Sequence, residues 1–313
     1  YSLPTAGHLH PLRGLLRLPG GFSGSPEDCR EDLSRSFFQE SGNSEVILMI
    51  LDLASLNSVR AFAQTFLASE PRLDILINNA GVIKAGQTID DFNQAFQVNH
   101  LGHFLLTHLL LNRLKRCAPS RIVILSSSMH IFGKIDFRTI YKPVERMWQT
   151  VRSYSNSKLA NIVHVRELAK RLEGTNVTCY AVHPGEWKSE NSRSHPRWVV
   201  WLLWTIKPLL RDWKTGAQTI IYCATEEGIE RQSGRYFVDC RPKVPWPQAR
   251  DDQVAENLWE FNEMLLGLTT SDRTMQNHID LSKTHPPSCW SLFSPPGSSF
   301  LGFKRTSPSH PWH

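Results

Sequence analysis

The stretch Leu73-Asp-Ile-Leu-Ile-Asn-Asn-Ala-Gly81 shows the pattern that decides the fold of this chain. It opens with an apolar run of strand length, residues 73–77, and then turns to small and polar residues that favour a loop. A short apolar run without polar alternation is typical of a strand that is covered on both faces, as in a parallel sheet. We therefore predict a buried strand at residues 73–77, followed by a loop.

The same pattern recurs on both sides of this stretch. Apolar runs predict strands at residues 46–51, 73–77, 122–125, 177–182 and 236–238. Between and after them, apolar residues spaced by three and four predict helices at residues 55–69, 89–115, 153–173, 215–226 and 251–266. Strands that alternate with helices indicate a parallel sheet with right-handed crossovers. The predicted fold class is α/β, a Rossmann-like doubly wound parallel sheet.

The chain of 313 residues divides into three regions by composition. Residues 1–44 are rich in Gly, Pro, Ser and Arg and are predicted to be a divergent N-terminal segment. Residues 45–268 carry the strand and helix pattern and are long enough for one α/β domain. Residues 269–313 turn rich in Ser, Pro, His and Lys and lose periodicity, which predicts a disordered tail.

Composition argues against several classes of protein. The net charge of +6 is mild, and no basic stripe alternates with aromatic residues, so we expect no nucleic-acid partner. The six cysteines are widely spaced without a Cys-x-x-Cys pair, which favours a reducing, intracellular compartment. No apolar run reaches eighteen residues and no signal-peptide pattern occurs, so we expect no transmembrane span.

Polar and small residues follow the predicted strands, where a doubly wound sheet binds its ligands. Ser127 comes just after the apolar run 122–125, and its hydroxyl is placed to donate to a substrate carbonyl. The small residues of Asn78-Asn79-Ala80-Gly81 would let a flat ligand approach the backbone. The structural alternatives are a serine that caps a strand and an ordinary strand-to-helix turn.

Tyr154 and Lys158 are four residues apart on a predicted helix, so both project from one face. A phenol titrates near pH 10, and a fixed positive charge beside it favours phenolate and lowers its pKa. This spacing therefore predicts a general acid/base that is tuned by a lysine. Two common residues at helical spacing also occur on solvated helix faces, so the pair gains meaning only from its context.

Asn99 lies within a strongly apolar stretch of the helix predicted at residues 89–115. A buried amide must find hydrogen-bond partners, and we interpret Asn99 as the anchor of a water in a proton relay. The nearby His100, His103 and His108 could suggest a metal site. No His-Glu-x-x-His pattern accompanies them and leucines surround them, so we predict ordinary packing and no metal.

Taken together, these motifs resemble the short-chain dehydrogenase/reductase family. Asn-Asn-Ala-Gly at 78–81, Asn99, Ser127, Tyr154 with Lys158, and His183-Pro-Gly185 occur in the order and rough spacing of that family. Residues 51–55 and 157–161 are similar to its retinol-dehydrogenase-like branch, and the resemblance covers about residues 40–268. It implies an oxidoreductase that transfers hydride between a nicotinamide cofactor, NADP or NAD, and a lipophilic alcohol or carbonyl compound.

The resemblance also implies roles for individual residues. Tyr154 would be the general acid/base, Lys158 its tuner and a ribose contact, Ser127 the group that orients the carbonyl, and Asn99 the anchor of the relay. The residues implied to line the cofactor are Asp52, Asn79, Ala80, Gly81, Tyr154, Lys158, Pro184 and Gly185.

The sequence departs from the family in its N-terminal part. The family normally begins with a strand and a Thr-Gly-x-x-x-Gly-x-Gly turn, whose glycines let the backbone approach the cofactor pyrophosphate. That turn does not occur here, because no apolar strand precedes Gly20-Gly21-Phe-Ser-Gly24 and Pro26 follows it. The choice between NAD and NADP is unreadable for the same reason. Two hypotheses follow: an active enzyme whose cofactor site the N-terminal segment completes, or a catalytically impaired member with a membrane-surface or scaffold role.

The segment from Arg197 to Leu210 carries Trp198, Trp201 and Trp204 among aliphatic residues. Family members place a substrate-covering segment after the His-Pro-Gly loop, so we interpret it first as a lid over a lipophilic substrate. A peripheral contact with a membrane such as the endoplasmic reticulum is the second interpretation. The resemblance further implies a homodimer that pairs through the helices holding Asn99 and Tyr154.

Overall fold

A computed structural model of the chain describes residues 46–184 and 213–268. The described residues form one sheet with five strands in the order β1 to β5. The strands are β1 (Ile75–Asn78), β2 (Ser120–Leu125), β3 (Val177–His183), β4 (Tyr236–Val238) and β5 (Arg241–Lys243). β1 to β4 are parallel, and β5 runs antiparallel to β4. The predicted α/β class with a mostly parallel sheet is confirmed.

Helices connect and cover these strands. The α-helices are α1 (Leu56–Ser69), α2 (Gln94–Phe96), α3 (Gly102–Arg116), α4 (Met147–Arg171), α5 (Trp213–Thr225) and α6 (Asp252–Leu265). A π-helical turn (Gln97–Leu101) joins α2 to α3, and 3₁₀ turns lie at Ser128–Phe132, Glu230–Gln232 and Pro247–Arg250. Polar caps fix where two of the α-helices begin. The Ser55 hydroxyl accepts the Ser58 N–H at α1, and the Asp251 carboxylate accepts the N–H groups of Gln253 and Val254 at α6.

The sheet is buried on both faces. Successive residues of β2 point to opposite sides of the sheet, so they belong to two different core clusters. Ile122 and Ile124 join the larger core cluster, which α1, α3, α4 and α6 also supply. Val123 joins a smaller cluster on the other face, with Tyr180 and Phe237 of the sheet and residues of α5. Helices on both faces explain why the central strands read as continuous apolar runs.

Several elements differ from the prediction, and the helix predicted at residues 153–173 begins earlier, at Met147. Residues 46–51 do not form a strand, since this segment pairs with no strand among the described residues and a strand exists only through its ladder. The helix predicted from residue 89 begins at Gln94, because the Asn93 side chain caps it by accepting the Phe96 N–H. The edge strand β5 was not predicted, because Arg241-Pro-Lys243 is short and polar.

The longest helix, α4, has 25 residues and carries buried polar side chains, including Lys158, Asn161 and His164. Such a helix is suited to packing inside a protein. In the two described parts of the chain, no helix combines the length and the apolar character that crossing a bilayer requires.

Gly133 follows the 3₁₀ turn and lies directly against α4. A Cβ atom at this position would lie 2.6 Å from the Ser155 carbonyl oxygen and 2.9 Å from the Leu159 Cβ. Backbone of a packed helix cannot move aside as a flexible side chain can. We expect Gly133→Ala to lower the free energy of unfolding by about 1–3 kcal/mol in urea denaturation. The neighbouring exposed change Lys134→Ala should stay within about 0.5 kcal/mol; equal stability of both variants would contradict this contact.

Candidate active site

The predicted site residues lie near the carboxyl edge of the sheet. Asn78, Leu125 and His183 end β1, β2 and β3, and because these strands are parallel their ends lie at the same edge. Helix α4 packs against the 3₁₀ turn that follows β2 and brings Tyr154 and Lys158 to this edge. The fold thus gathers residues that are far apart in the sequence.

Tyr154 and Lys158 lie together as their spacing predicted. The Lys158 Nζ atom is 5.6 Å from the centroid of the Tyr154 ring. Lys158 is only 2% exposed, and its Nζ donates a hydrogen bond to the Leu125 carbonyl oxygen at 3.1 Å. The ammonium group is therefore anchored to the end of β2, beside the phenol.

Burial changes the proton affinity of both groups. It lowers the pKa of Lys158 to about 8, because a charged ammonium loses its hydration inside the protein. It also raises the pKa of Tyr154, an effect that a hydrogen bond with Ser127 partly offsets. The net direction for Tyr154 is opposite to the one predicted from the spacing, since desolvation is the largest contribution. At neutral pH the phenol therefore keeps its proton.

Ser127 sits at the junction of β2 and the 3₁₀ turn. Its hydroxyl accepts the Met129 N–H at 3.2 Å and so caps the turn. The same side chain lies close enough to Tyr154 to lower the pKa of the phenol, against the larger effect of burial. The capping role is therefore present, and the cap fixes where the hydroxyl lies. The role of Ser127 toward a substrate carbonyl stays a prediction.

Asn99 is fully buried in the π-helical turn. Its Oδ1 accepts the Val82 N–H at 2.7 Å, while its Nδ2 donates to the Val82 carbonyl and to the Ser157 hydroxyl, each at 3.0 Å. The side chain therefore clamps the loop after β1 onto α4. Both of its N–H groups have protein acceptors, so the relay water predicted for Asn99 would have to bind elsewhere, and the relay role stays a prediction.

The loop after β1 comes close to the lysine. Gly81 is exposed, and a Cβ atom there would lie 3.3 Å from the Lys158 Nζ and 3.5 Å from the Asn99 Oδ1. Any side chain at this position would crowd the ammonium group. The missing side chain leaves room beside the Lys158 Nζ, and we call this space the Gly81 opening.

The other residues predicted to line the cofactor lie in loops next to the strands and before α1. Asp52 is exposed, and its carboxylate accepts the Ala54 N–H at 2.9 Å, which shapes the turn before α1. Asn79 is exposed and Ala80 half-buried in the loop after β1, and Pro184 is half-buried directly after β3. Gly185 and the segment from Arg197 to Leu210 lie outside the described residues.

The sequence pattern gave no role to Asn161 and did not reveal that it is hydrogen-bonded to the buried His100. The Asn161 Nδ2 donates to the Leu125 carbonyl, which also binds Lys158, and to the Asn99 carbonyl. The His100 Nδ1 binds the Asn161 Oδ1 at 2.9 Å. Asn161 lies seven residues after Tyr154, hence on the same face of α4, and this spacing is the signal that could have found it.

Comparisons with known proteins identify relatives of this chain. A family model described as enoyl-(acyl carrier protein) reductase matches residues 27–198. The chain is 56% identical over 232 residues to dehydrogenase/reductase SDR family member 13 of Bos taurus, covering 74% of this chain and 62% of that protein. It is 47% identical over 232 residues to retinol dehydrogenase 12 of Homo sapiens, covering 73% of this chain and 72% of that protein.

Solved structures show the same architecture. An uncharacterized protein from Mycobacterium paratuberculosis has a TM-score of 0.58 at 29% identity, covering 76% of this chain and 82% of its own. Carbonyl reductase Sniffer of D. melanogaster has a TM-score of 0.51 at 19% identity, covering 78% and 90%, which bears on the fold alone.

The chain therefore belongs to the short-chain dehydrogenase/reductase family. Within that family it falls in the retinol-dehydrogenase-like branch, as the residues around Asp52, Asn161 and His183 indicated. It spans 62% of the length of the Bos taurus family member 13 protein.

Proposed function

We propose that this protein is an NAD(P)-dependent oxidoreductase that transfers hydride between a nicotinamide cofactor and a lipophilic alcohol or carbonyl compound. The observation that carries the proposal is the convergence of Tyr154, Ser127 and Lys158 beside the Gly81 opening. The nicotinamide cofactor supplies the hydride when it is bound. The protein's own residues supply the proton and stabilise charge.

The described residues fit one half of such a cofactor. The buried Lys158 ammonium lies beside the Gly81 opening, and the exposed Asn79 is two residues earlier in the same loop. Both residues carry hydrogen-bond donors that suit ribose hydroxyls. The pyrophosphate half has no counterpart among the described residues, and the sequence shows no Thr-Gly-x-x-x-Gly-x-Gly turn. Either NAD or NADP is therefore compatible with the proposed site.

The protonation states of Tyr154 and Lys158 favour reduction of a carbonyl compound. Tyr154 keeps its proton at neutral pH, because burial raises its pKa, and can donate it to a carbonyl oxygen. The Ser127 hydroxyl, which lies near Tyr154, can bind the same oxygen. The Lys158 ammonium then stabilises the phenolate that remains.

A lipophilic substrate suits the surroundings of Ser127. Phe132 is 52% exposed in the turn that Ser127 caps, and Trp246 is also 52% exposed. The backbone N–H of Trp246 donates to the His130 Nε2 at 3.2 Å, which places this residue beside the same turn. Relatives whose names read retinol dehydrogenase add support, so we propose retinoid-like alcohols and aldehydes as the substrate class.

Fluorescence titration with NADPH and NADH tests the cofactor proposal. The wild-type protein should bind at least one of them saturably. Gly81→Val should weaken binding roughly tenfold or more, because its side chain would crowd Lys158. The exposed change Lys84→Ala is the control and should bind as the wild type does. Failure of purified, folded protein to bind either cofactor saturably would overturn the enzyme proposal.

One observation favours the second hypothesis, a folded member without catalysis. Among the described residues the sheet ends at β1, where Ile77 is 45% exposed, and the strand and glycine turn typical of the family are missing from the sequence. Such a protein could act at a membrane surface through the Trp-rich segment. Co-sedimentation with liposomes that is unaffected by Trp201→Ala and Trp204→Ala would argue against this role.

A further inference from the structure

A chain of buried amide and imidazole groups leads away from Lys158. The Leu125 carbonyl oxygen accepts from the Lys158 Nζ at 3.1 Å and from the Asn161 Nδ2 at 2.9 Å. The Asn161 Oδ1 lies 2.9 Å from the His100 Nδ1, and the His100 Nε2 lies 2.9 Å from the Asn262 Nδ2. The side chains of Asn161, His100 and Asn262 are each at most 1% exposed.

The orientation of every group in this chain can be deduced. The Asn161 Nδ2 faces two carbonyl oxygens, those of Leu125 and Asn99, so this end of the amide must be the donor. Its Oδ1 must then accept, which makes the His100 Nδ1 a donor. The His100 ring is neutral, since burial lowers its pKa to about 4, so its Nε2 accepts from Asn262. The network therefore has a single consistent arrangement.

This arrangement limits where the lysine can point. A carbonyl oxygen has two lone pairs, and at Leu125 one is used by Asn161 and the other by Lys158. Without the Asn161 amide, the ammonium group could move to the other lone pair. It would then leave its place beside the Gly81 opening and the Tyr154 ring.

We propose that Asn161, held in place by His100 and Asn262, is a positioning residue that fixes the Lys158 ammonium through the shared Leu125 carbonyl. It touches neither the proposed cofactor nor the substrate and acts through the lysine. The role of Lys158 in cofactor binding rests on the proposed function, whereas its position and proton affinity can be measured in the protein alone.

The test is a pH titration of Lys158 by NMR on protein labelled with ¹³C-lysine. The Cε resonance that is missing from Lys158→Met identifies Lys158, and its midpoint in the wild type should lie at about 8. Asn161→Asp should raise this midpoint by about 1–3 pH units, because a carboxylate would stand next to the ammonium. Asn161→Leu should also shift the Cε resonance and raise the midpoint, since the Leu125 carbonyl becomes available to the lysine alone.

Controls separate this effect from a general one. Tyr154 and His183 also surround Lys158 and are unchanged in every variant. Asn257→Asp makes the same charge change on α6 and should leave the Lys158 titration unaffected. Should an Asn161 variant not unfold cooperatively, His100→Leu removes the donor to the Asn161 oxygen and should shift the Lys158 resonance. An unchanged Lys158 resonance and midpoint in the folded variants would overturn the proposal.

The affinity for NADPH is a second measurement that does not depend on turnover. Asn161→Leu should weaken binding roughly tenfold in the wild-type background. In Lys158→Arg, whose ammonium is already replaced, the same change should add little, because coupled residues are not additive. Additive losses would show that Asn161 acts on the structure as a whole. Absence of NADPH and NADH binding by the wild type would instead count against the proposed function and leave the NMR result to decide on Asn161.

Discussion

Lys158→Met should make the protein more stable at pH 7 while it removes cofactor binding. The folded state holds this lysine almost fully buried, and its pKa falls from 10.5 to about 8. Such a shift corresponds to a cost of about 3 kcal/mol for keeping the charged form folded, as an upper bound. Methionine has a similar length without the charge. The Leu125 carbonyl would also keep a partner, because Asn161 still donates to it.

The pH dependence follows from the direction of the shift. Between about pH 8 and 10.5 the unfolded chain keeps the proton that the folded protein has lost, so wild-type stability gains from rising pH in this window. Lys158→Met lacks this contribution. We expect a gain of about 1–3 kcal/mol at pH 7, or several degrees in Tm, which shrinks toward pH 10. The exposed change Lys84→Met is the control, and a variant no more stable than wild type at pH 7 would refute the expectation.

Tyr154→Phe should abolish most carbonyl reduction while the fold and cofactor binding persist. The phenyl ring keeps its packing beside Lys158, and only the proton donor is lost. General acid catalysis typically contributes about 10²–10⁴-fold, so kcat for a retinoid aldehyde should fall by that factor. Steady-state assays that follow NADPH oxidation measure this. Tyr222→Phe, on α5, is the matched control and should keep wild-type turnover. Near wild-type turnover by Tyr154→Phe would show that another group is the general acid.

The proposed role of Lys158 predicts how reduction depends on pH. Its positive charge is needed to stabilise the phenolate and is lost as pH rises through about 8. The rate of carbonyl reduction should therefore fall above that pH. A rate that stays level to pH 10 would mean that the lysine charge is not used.

The sequence predicted those parts of the structure that depend on local patterns. Strand β4 was predicted with its observed bounds, because its short apolar run is flanked by polar residues that mark where the strand begins and ends. Tyr154 and Lys158 were correctly placed together, because helical spacing dictates it. The segment 46–51 has the same apolar character, but a strand needs a neighbour, and pairing is not a local property.

Features of the site that depend on tertiary contacts were not predictable. The direction of the Tyr154 pKa shift depends on how deeply the ring is buried, which the Tyr-x-x-x-Lys spacing does not show. The Leu125 carbonyl, to which Lys158 and Asn161 both donate, is a backbone group. Every residue type has such a carbonyl, so the sequence does not indicate this role. The π-helical turn that carries Asn99 interrupts a helix whose apolar pattern reads as continuous.

Strand β5 determines how the described sheet could join another chain. It forms one border of that sheet, and Pro242, which has no N–H to offer, lies between Arg241 and Lys243, both exposed. This border is a poor template for an added strand. Strand addition to the described sheet should thus be favoured beyond β1, and two chains joined there would offer a third chain only the β5 borders. Association through the described sheet should therefore stop at pairs and not grow into fibrils.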